Sequence, residues 1–321
     1  MGHAVRITEA NWEAAPSYDW PRPMFTPDTG IGSLPALHTV GNAVVAVAGL
    51  TDDVTHFVGS GVMVAPGLLL TATHVLREFP DDGPGPMFLT FLPEGARAWR
   101  PYQTNTLRGS DDGVLVGLRE RHVVSDLTLV SCVLSSDALD EHPLNMAALE
   151  VDLPIPGERL WAVGFRQGDV DDDGTGVTPL VASGLVTECF PHGRDRNLRG
   201  PCVEVAMETF GGMSGGPVFN ERGYVVGLVS SSFESTDDLG PTYVTFIWDA
   251  FRVAVTAPWP KDLWIDGEAD LFTARELNVA VYPDNLKRDA DWNITMTLRN
   301  EAVRVMADRT PVDQITRPTP E

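Results

Sequence analysis

From about His38 onward, short runs rich in Val, Leu and Ile recur with Gly, Pro and Asp between them, and this texture limits the fold more than any other feature. The runs fall at residues 43–48, 57–64, 67–71, 87–92, 113–118, 127–134, 159–165, 180–189, 202–207, 217–219, 223–230 and 242–247. Runs of this length, bounded by turn formers and enriched in β-branched residues, read as strands rather than helices. Many of them in series predict an all-β barrel or sandwich.

The chain is long enough, at 321 residues, for one large or two modest domains with a substantial core. A hydrophobic content of 43% and a charged content of 21% are those of a soluble globular protein. The net charge of −22 makes the average surface repel phosphate backbones and anionic lipid, so neither nucleic acid nor a membrane is an expected partner. Arg6, Glu9, Glu13 and Asp19 interrupt the first twenty residues, which therefore do not read as a secretory signal. The apolar runs are too short to span a bilayer, and Arg6 breaks a myristoylation pattern. A cytoplasmic location is the expectation. Cys132, Cys189 and Cys202 form no Cys-x-x-Cys pair. Cys132 lies in an apolar run and reads as a reduced core thiol, whereas a Cys189–Cys202 bridge stays open.

Three regions follow. Residues 1–37 contain Trp12, Trp20 and five prolines without a helical or alternating period, and read as an arm that wraps a globular body through its aromatics. Residues 38–257 carry the strand pattern, ending in a short helix near 248–255. Pro258 and Pro260 mark a boundary, after which residues 258–321 form an extension. Within it a helix is expected near 269–277 and strands at 277–282, 292–298 and 302–306.

Three segments carry chemistry. Thr71-Ala72-Thr73-His74 follows an apolar strand through small residues, Ser125-Asp126 opens the run 127–134, and Gly211-Gly212-Met213-Ser214-Gly215-Gly216-Pro217 surrounds one serine with glycines. A serine hydroxyl becomes nucleophilic when a neutral imidazole accepts its proton, and a carboxylate can hold that imidazole in the productive tautomer. His74 is the candidate base, Asp126 the orienting carboxylate and Ser214 the nucleophile. The alternative for Asp126 is a turn residue capping the strand start. The Gly212 and Ser214 N–H groups are the expected donors to the oxyanion that develops during acyl transfer.

These motifs, in this order and separated by 52 and 88 residues, with Gly227-Leu228-Val229-Ser230 behind them, resemble the chymotrypsin/trypsin-like serine peptidases, in particular the bacterial and HtrA-type branch without a PDZ module. The resemblance covers residues 38–257. It implies two six-stranded antiparallel β-barrels, His74 and Asp126 coming from the first and Ser214 from the second. It implies a protein or peptide substrate and no cofactor. Met213 stands where digestive members carry an aspartate that pairs with a new N-terminus, so activation by that cleavage is not expected.

By the same resemblance Glu208, six residues before the serine, lies at the base of the specificity pocket and would favour Arg or Lys, unless its carboxylate points to solvent. Ser230, Ser231 and Ser232 would line a wall that also binds substrate backbone. Asp169, Asp171 and Asp173 match half of a calcium loop, but Leu180 occupies the place of the bidentate glutamate, and a solvated acidic loop is the preferred reading. The expected function is a cytoplasmic serine endopeptidase, by analogy a regulated component of a stress or defence system, with the arm or the extension as a docking point for a regulator. The rival is a catalytically silent module that keeps the fold for binding. An esterase on a doubly wound fold is disfavoured, because it orders its residues Ser, acid, His.

Overall fold

The computed structural model describes residues 18–25, 32–33, 42–51, 54–80, 83, 85–92, 95–106, 125–135, 143–166, 168–169, 179–195, 198–234, 239–264 and 267–309. Two closed six-stranded antiparallel barrels dominate it. The first runs around Val54–Ala65, Val44–Thr51, Met87–Leu92, Gly95–Thr106, Leu127–Leu134 and Leu68–Ala72, which pairs back with Val54–Ala65. The second runs around Arg159–Phe165, Pro217–Phe219, Val225–Glu234, Leu239–Phe246, Cys202–Ala206 and Pro179–Phe190, closed by Pro179–Phe190 against Arg159–Phe165. Closure pairs every strand on both sides and removes exposed sheet edges.

Strand alternation divides the apolar side chains between clusters. Leu68 and Leu70 join a cluster that also holds Trp161, Val163 and Phe165 of the second barrel, whereas Leu69 between them packs with Trp99 and Val130. All five residues of Leu68–Ala72 are therefore buried, and the strand is apolar on both faces except for Thr71. A third cluster, with Leu160, Ala182, Val203, Val218, Val229 and Val244, draws on every strand of the second barrel.

The long strand Gly95–Thr106 was not anticipated from sequence. Its outer half, Tyr102-Gln103-Thr104-Asn105, is polar, and Pro101 sits at a register shift against Leu127–Leu134. Proline is tolerated in a sheet at such irregularities. The expected strand at 113–118 lies outside the described residues.

Tyr18–Asp19 pairs in parallel with Leu144–Asn145, and Gly32–Ser33 pairs with Leu180 and Val181. Between them Phe25 stacks on Trp161 at 5.5 Å. After the second barrel a 3₁₀ helix spans Ile247–Arg252, shorter than the helix expected at 248–255, and Val255–Thr256 is a strand paired with Glu268–Ala269. β-branched Val253 and Val255 account for the early end. Helix Leu271–Glu276 starts at Asp270, whose Oδ1 accepts the Thr273 N–H at 2.8 Å.

Two expected strands of the extension are corrected. Residues 277–282 are irregular: Leu277 caps the preceding helix, while Val279, Ala280 and Tyr282 are buried without sheet pairing. The segment 302–306 belongs to helix Asn300–Arg309, in which Ala302, Val305 and Met306 pack on the second-barrel core and Val303 is exposed. That spacing is helical, and it outweighs the β-branched residues. The short strand Ile294–Met296 falls within the expected 292–298 and pairs with Leu286–Arg288.

All three cysteines are buried, and none is in a disulfide. In the register Cys189 faces Val203 and Phe190 faces Cys202, so the two thiols project from opposite faces of adjacent strands: Cys189 packs in the second-barrel core, Cys202 with Leu198 and Tyr243.

Candidate active site

Strand Leu68–Ala72 ends in one helical turn, Thr73–Leu76, seated on a glycine: a Cβ at Gly59 would lie 2.3 Å from Val75 Cγ1. The pairing of Ala72 with Leu127 brings residue 126 opposite this turn. The Thr73 N–H donates to the Asp126 carbonyl at 2.8 Å and the His74 N–H to Asp126 Oδ1 at 3.0 Å. His74 Nδ1 lies 2.8 Å from Asp126 Oδ2. An ionised carboxylate only accepts, so Nδ1 carries the proton and Nε2 presents a lone pair. Burial alone would lower the His74 pKa, but the Asp126 hydrogen bond and charge, aided by Glu78 and opposed by Arg77, leave it raised.

Ser214 sits where two tight turns meet. Met213 N–H donates to Phe210 O at 3.0 Å and Gly216 N–H to Met213 O at 2.9 Å. The third positions of these turns, Gly212 and Gly215, have φ of +91° and +80°, a requirement of type II turns that glycine meets without strain. Gly215 also admits a close neighbour, since a Cβ there would lie 2.3 Å from Ser60 O and 2.8 Å from Ala72 N. The serine turn is thus pressed against the strand that delivers His74. Gly215 N–H donates to Val229 O at 2.7 Å, whereas the N–H groups of Gly212 and Ser214 have no hydrogen-bond partner among the described residues.

Ser230, on the strand laddered to this turn, donates from Oγ to Asp126 Oδ2 at 2.5 Å. Asp126 of the first barrel is therefore tied to the second. Among the described residues no hydrogen bond joins Ser214 Oγ to His74 Nε2.

The trypsin-like peptidase domain model matches residues 59–228, more than half of the sequence and the span that holds His74, Asp126 and Ser214. The chain belongs to the trypsin-like peptidase family. No curated protein matches it. Among solved structures, the MamO protease domain of Magnetospirillum magneticum is 21% identical, with a TM-score of 0.46 over 66% of this chain and 95% of that one. The Rv3671c protease of M. tuberculosis, in its inactive form, is 14% identical, with a TM-score of 0.43 over 68% of this chain and 93% of that one.

Other predicted site residues of this trypsin-like peptidase fall as follows. Glu208 is half-buried between buried Met207 and Thr209, and its carboxylate has no hydrogen bond or ion pair among the described residues. The Thr209 hydroxyl meets that of Thr242 at 2.9 Å, and Thr242 pairs with Ser232, which sets this segment beside the Ser230–Ser232 strand. The Ser230 hydroxyl, expected on the substrate wall, is directed to Asp126. Asp169 pairs through its backbone with His56 on the first barrel, and Asp171 and Asp173 lie outside the described residues.

One residue at the site escaped the sequence reading. Ser60 is fully buried, its N–H donates to Ser214 O at 2.8 Å, and its hydroxyl donates to Gly212 O at 2.7 Å. Its sequence signal is the triplet Gly59-Ser60-Gly61 inside an otherwise β-branched strand, since glycine within a strand marks a close approach by another segment.

Proposed function

We propose that this trypsin-like peptidase is an active serine endopeptidase in which Ser214 is the nucleophile, His74 the general base and Asp126 the group that orients it. The observation that carries the proposal is the Asp126 carboxylate bound to both His74 Nδ1 and Ser230 Oγ, beside a serine turn that leaves two N–H groups unbonded. With Nδ1 protonated, His74 Nε2 accepts the Ser214 proton as Oγ attacks the scissile carbonyl carbon. The carbonyl oxygen becomes an oxyanion between the Gly212 and Ser214 N–H groups. His74 then gives its proton to the leaving amine, and water hydrolyses the acyl-enzyme by the same steps. Catalysis requires the Ser214 hydroxyl to reach His74 Nε2, and hydrogen bonds of this kind are often long in the unbound enzyme and tighten when substrate binds.

We further propose that Glu208, half-buried and without a cation partner among the described residues, selects Arg or Lys side chains of protein substrates. Three buried thiols, none in a disulfide, support a reducing, cytoplasmic setting. The rival reading, a silent binding module, draws on the unmade Ser214–His74 bond. Incubation with a peptide library decides: cleavage after basic residues, absent in Ser214→Ala and without basic preference in Glu208→Ala, is the expected result. A wild-type protein that leaves the library intact, or cuts it no better than Ser214→Ala, contradicts the enzyme.

A further inference from the structure

The geometry points to Ser60 as a positioning residue whose hydroxyl sets the oxyanion-binding turn from across the barrel interface, an inference that rests on the peptidase reading above. The Ser60 hydroxyl makes two bonds, and their directions are fixed. The Phe165 N–H can only donate, at 2.9 Å, so the hydroxyl accepts there and its own proton goes to Gly212 O at 2.7 Å. The result is a relay from the end of strand Arg159–Phe165, through a side chain of the first barrel, to the carbonyl of the turn.

That carbonyl belongs to the peptide joining Gly212 and Met213. Its other end is held too, because Met213 N–H donates to Phe210 O at 3.0 Å. A peptide unit is planar, so bonds at both ends fix its orientation. One bond away lies the Gly212 φ torsion, at +91°, which orients the Gly212 N–H proposed as an oxyanion donor. A glycine is the freest joint in the chain, and Ser60 grips its downstream side. The second proposed donor is fixed differently: the Met213 carbonyl accepts from Gly216 N–H at 2.9 Å, which turns the Ser214 N–H of the same peptide the opposite way.

The surroundings are shaped for this contact. A Cβ at Gly164 would lie 2.9 Å from Ser60 Oγ and one at Gly216 3.2 Å from Ser60 Cβ, so bulk at either site would push Ser60 away. Thr71 Oγ1 donates to the Ser60 carbonyl at 2.7 Å and holds the residue from behind. The hydroxyl of Ser60, and not its N–H, reaches the turn's Gly212 carbonyl, so its loss leaves that peptide held at the Met213 N–H end alone and loosens the Gly212 joint, while the Ser60 N–H bond to Ser214 O remains.

The test is the rate at which an alkyl fluorophosphonate labels Ser214, measured against pH in wild type and Ser60→Ala. In this reaction Ser214 Oγ bonds to phosphorus, fluoride leaves, His74 takes the proton and the phosphoryl oxygen occupies the oxyanion position. Loss of a whole oxyanion donor costs about 10²–10³ in rate, so loosening one should lower the plateau about 10–100-fold. The pH midpoint, set by His74, should stay in place, whereas a general loosening of the barrels would move it. Folding is checked by thermal melting, and Ser60→Gly, which removes the same hydroxyl, carries the same expectation should the alanine variant fail to fold. An unchanged plateau, or a fall accompanied by a displaced midpoint, overturns the role of Ser60 and leaves the peptidase reading standing. Failure of the wild type to label at Ser214 removes that reading instead.

Discussion

Ser230 Oγ and His74 Nδ1 share one oxygen of Asp126, at 2.5 Å and 2.8 Å. The carboxylate is held by hydrogen bonds from both barrels, which fixes the imidazole plane relative to the serine turn. A hydrogen bond to a charged acceptor contributes about 1.5–3 kcal/mol, and Asp126 keeps its bonds to His74 when Ser230 is removed. Ser230→Ala is therefore expected to lower kcat about tenfold with little change in KM. Steady-state kinetics on a cleaved peptide check this, and an effect on KM alone would place Ser230 on the substrate wall instead.

The environment of His74 gives a pH prediction with two signs. The proposed catalysis needs the neutral imidazole, so activity is expected to rise as pH passes the His74 pKa, which is raised above its ordinary value. The folded state correspondingly favours the protonated ring: the stability from this group is present below the unfolded pKa and lost as pH rises through the folded one. Glu78 raises the pKa and Arg77 lowers it. Glu78→Gln should move the acid limb of kcat/KM to lower pH and Arg77→Gln to higher pH. Movement of both limbs in the same direction would contradict the electrostatic account.

Gly215 leaves no room for a side chain. A Cβ would lie 2.3 Å from Ser60 O and 2.4 Å from Thr71 Oγ1, at a φ of +80°. Strain in that region and overpacking each cost about 1–3 kcal/mol. Gly215→Ala is expected to lose about 3 kcal/mol or more of stability in a urea titration, together with Ser214 reactivity. A variant of wild-type stability would show that the turn is not pressed against the first barrel.

Much of this site was legible in the sequence, for identifiable reasons. His74 and Asp126 lie beside largely apolar, buried strands whose register is set by burial, so placing the strands placed the residues. The glycines around Ser214 announced tight turns because few other residues reach positive φ. What stayed hidden depended on contacts between distant segments. Ser60 and Ser230 are small polar residues within apolar strands, and their partners lie 152 and 104 residues away. Strand Gly95–Thr106 was hidden by its polar outer half, and helix Asn300–Arg309 by β-branched residues at positions that packing made helical.

Asp249 supplies a test of stability at a buried carboxylate outside the proposed triad. It is buried on the 3₁₀ helix, its Oδ2 has no hydrogen-bond partner among the described residues, and Arg252 lies 3.5 Å from its other oxygen. Burial raises its pKa, against the charge of Arg252 and a hydrogen bond from Ser125. A folded-state pKa above the unfolded one means that stability from this group is present at low pH and lost as pH rises through the folded value. Asp249→Asn is expected to melt a few degrees higher than wild type near about pH 8, with the gap narrowing on acidification. A lower melting temperature at every pH would show that the ion pair with Arg252 outweighs burial.

The convergence of His74, Asp126 and Ser214 into a working centre is tested most directly by mapping the adduct formed with a fluorophosphonate. One label per chain, on Ser214, absent in Ser214→Ala and slowed by orders of magnitude in His74→Ala, is the predicted result. An unlabelled protein, or a Ser214 adduct that forms equally fast without His74, would contradict it.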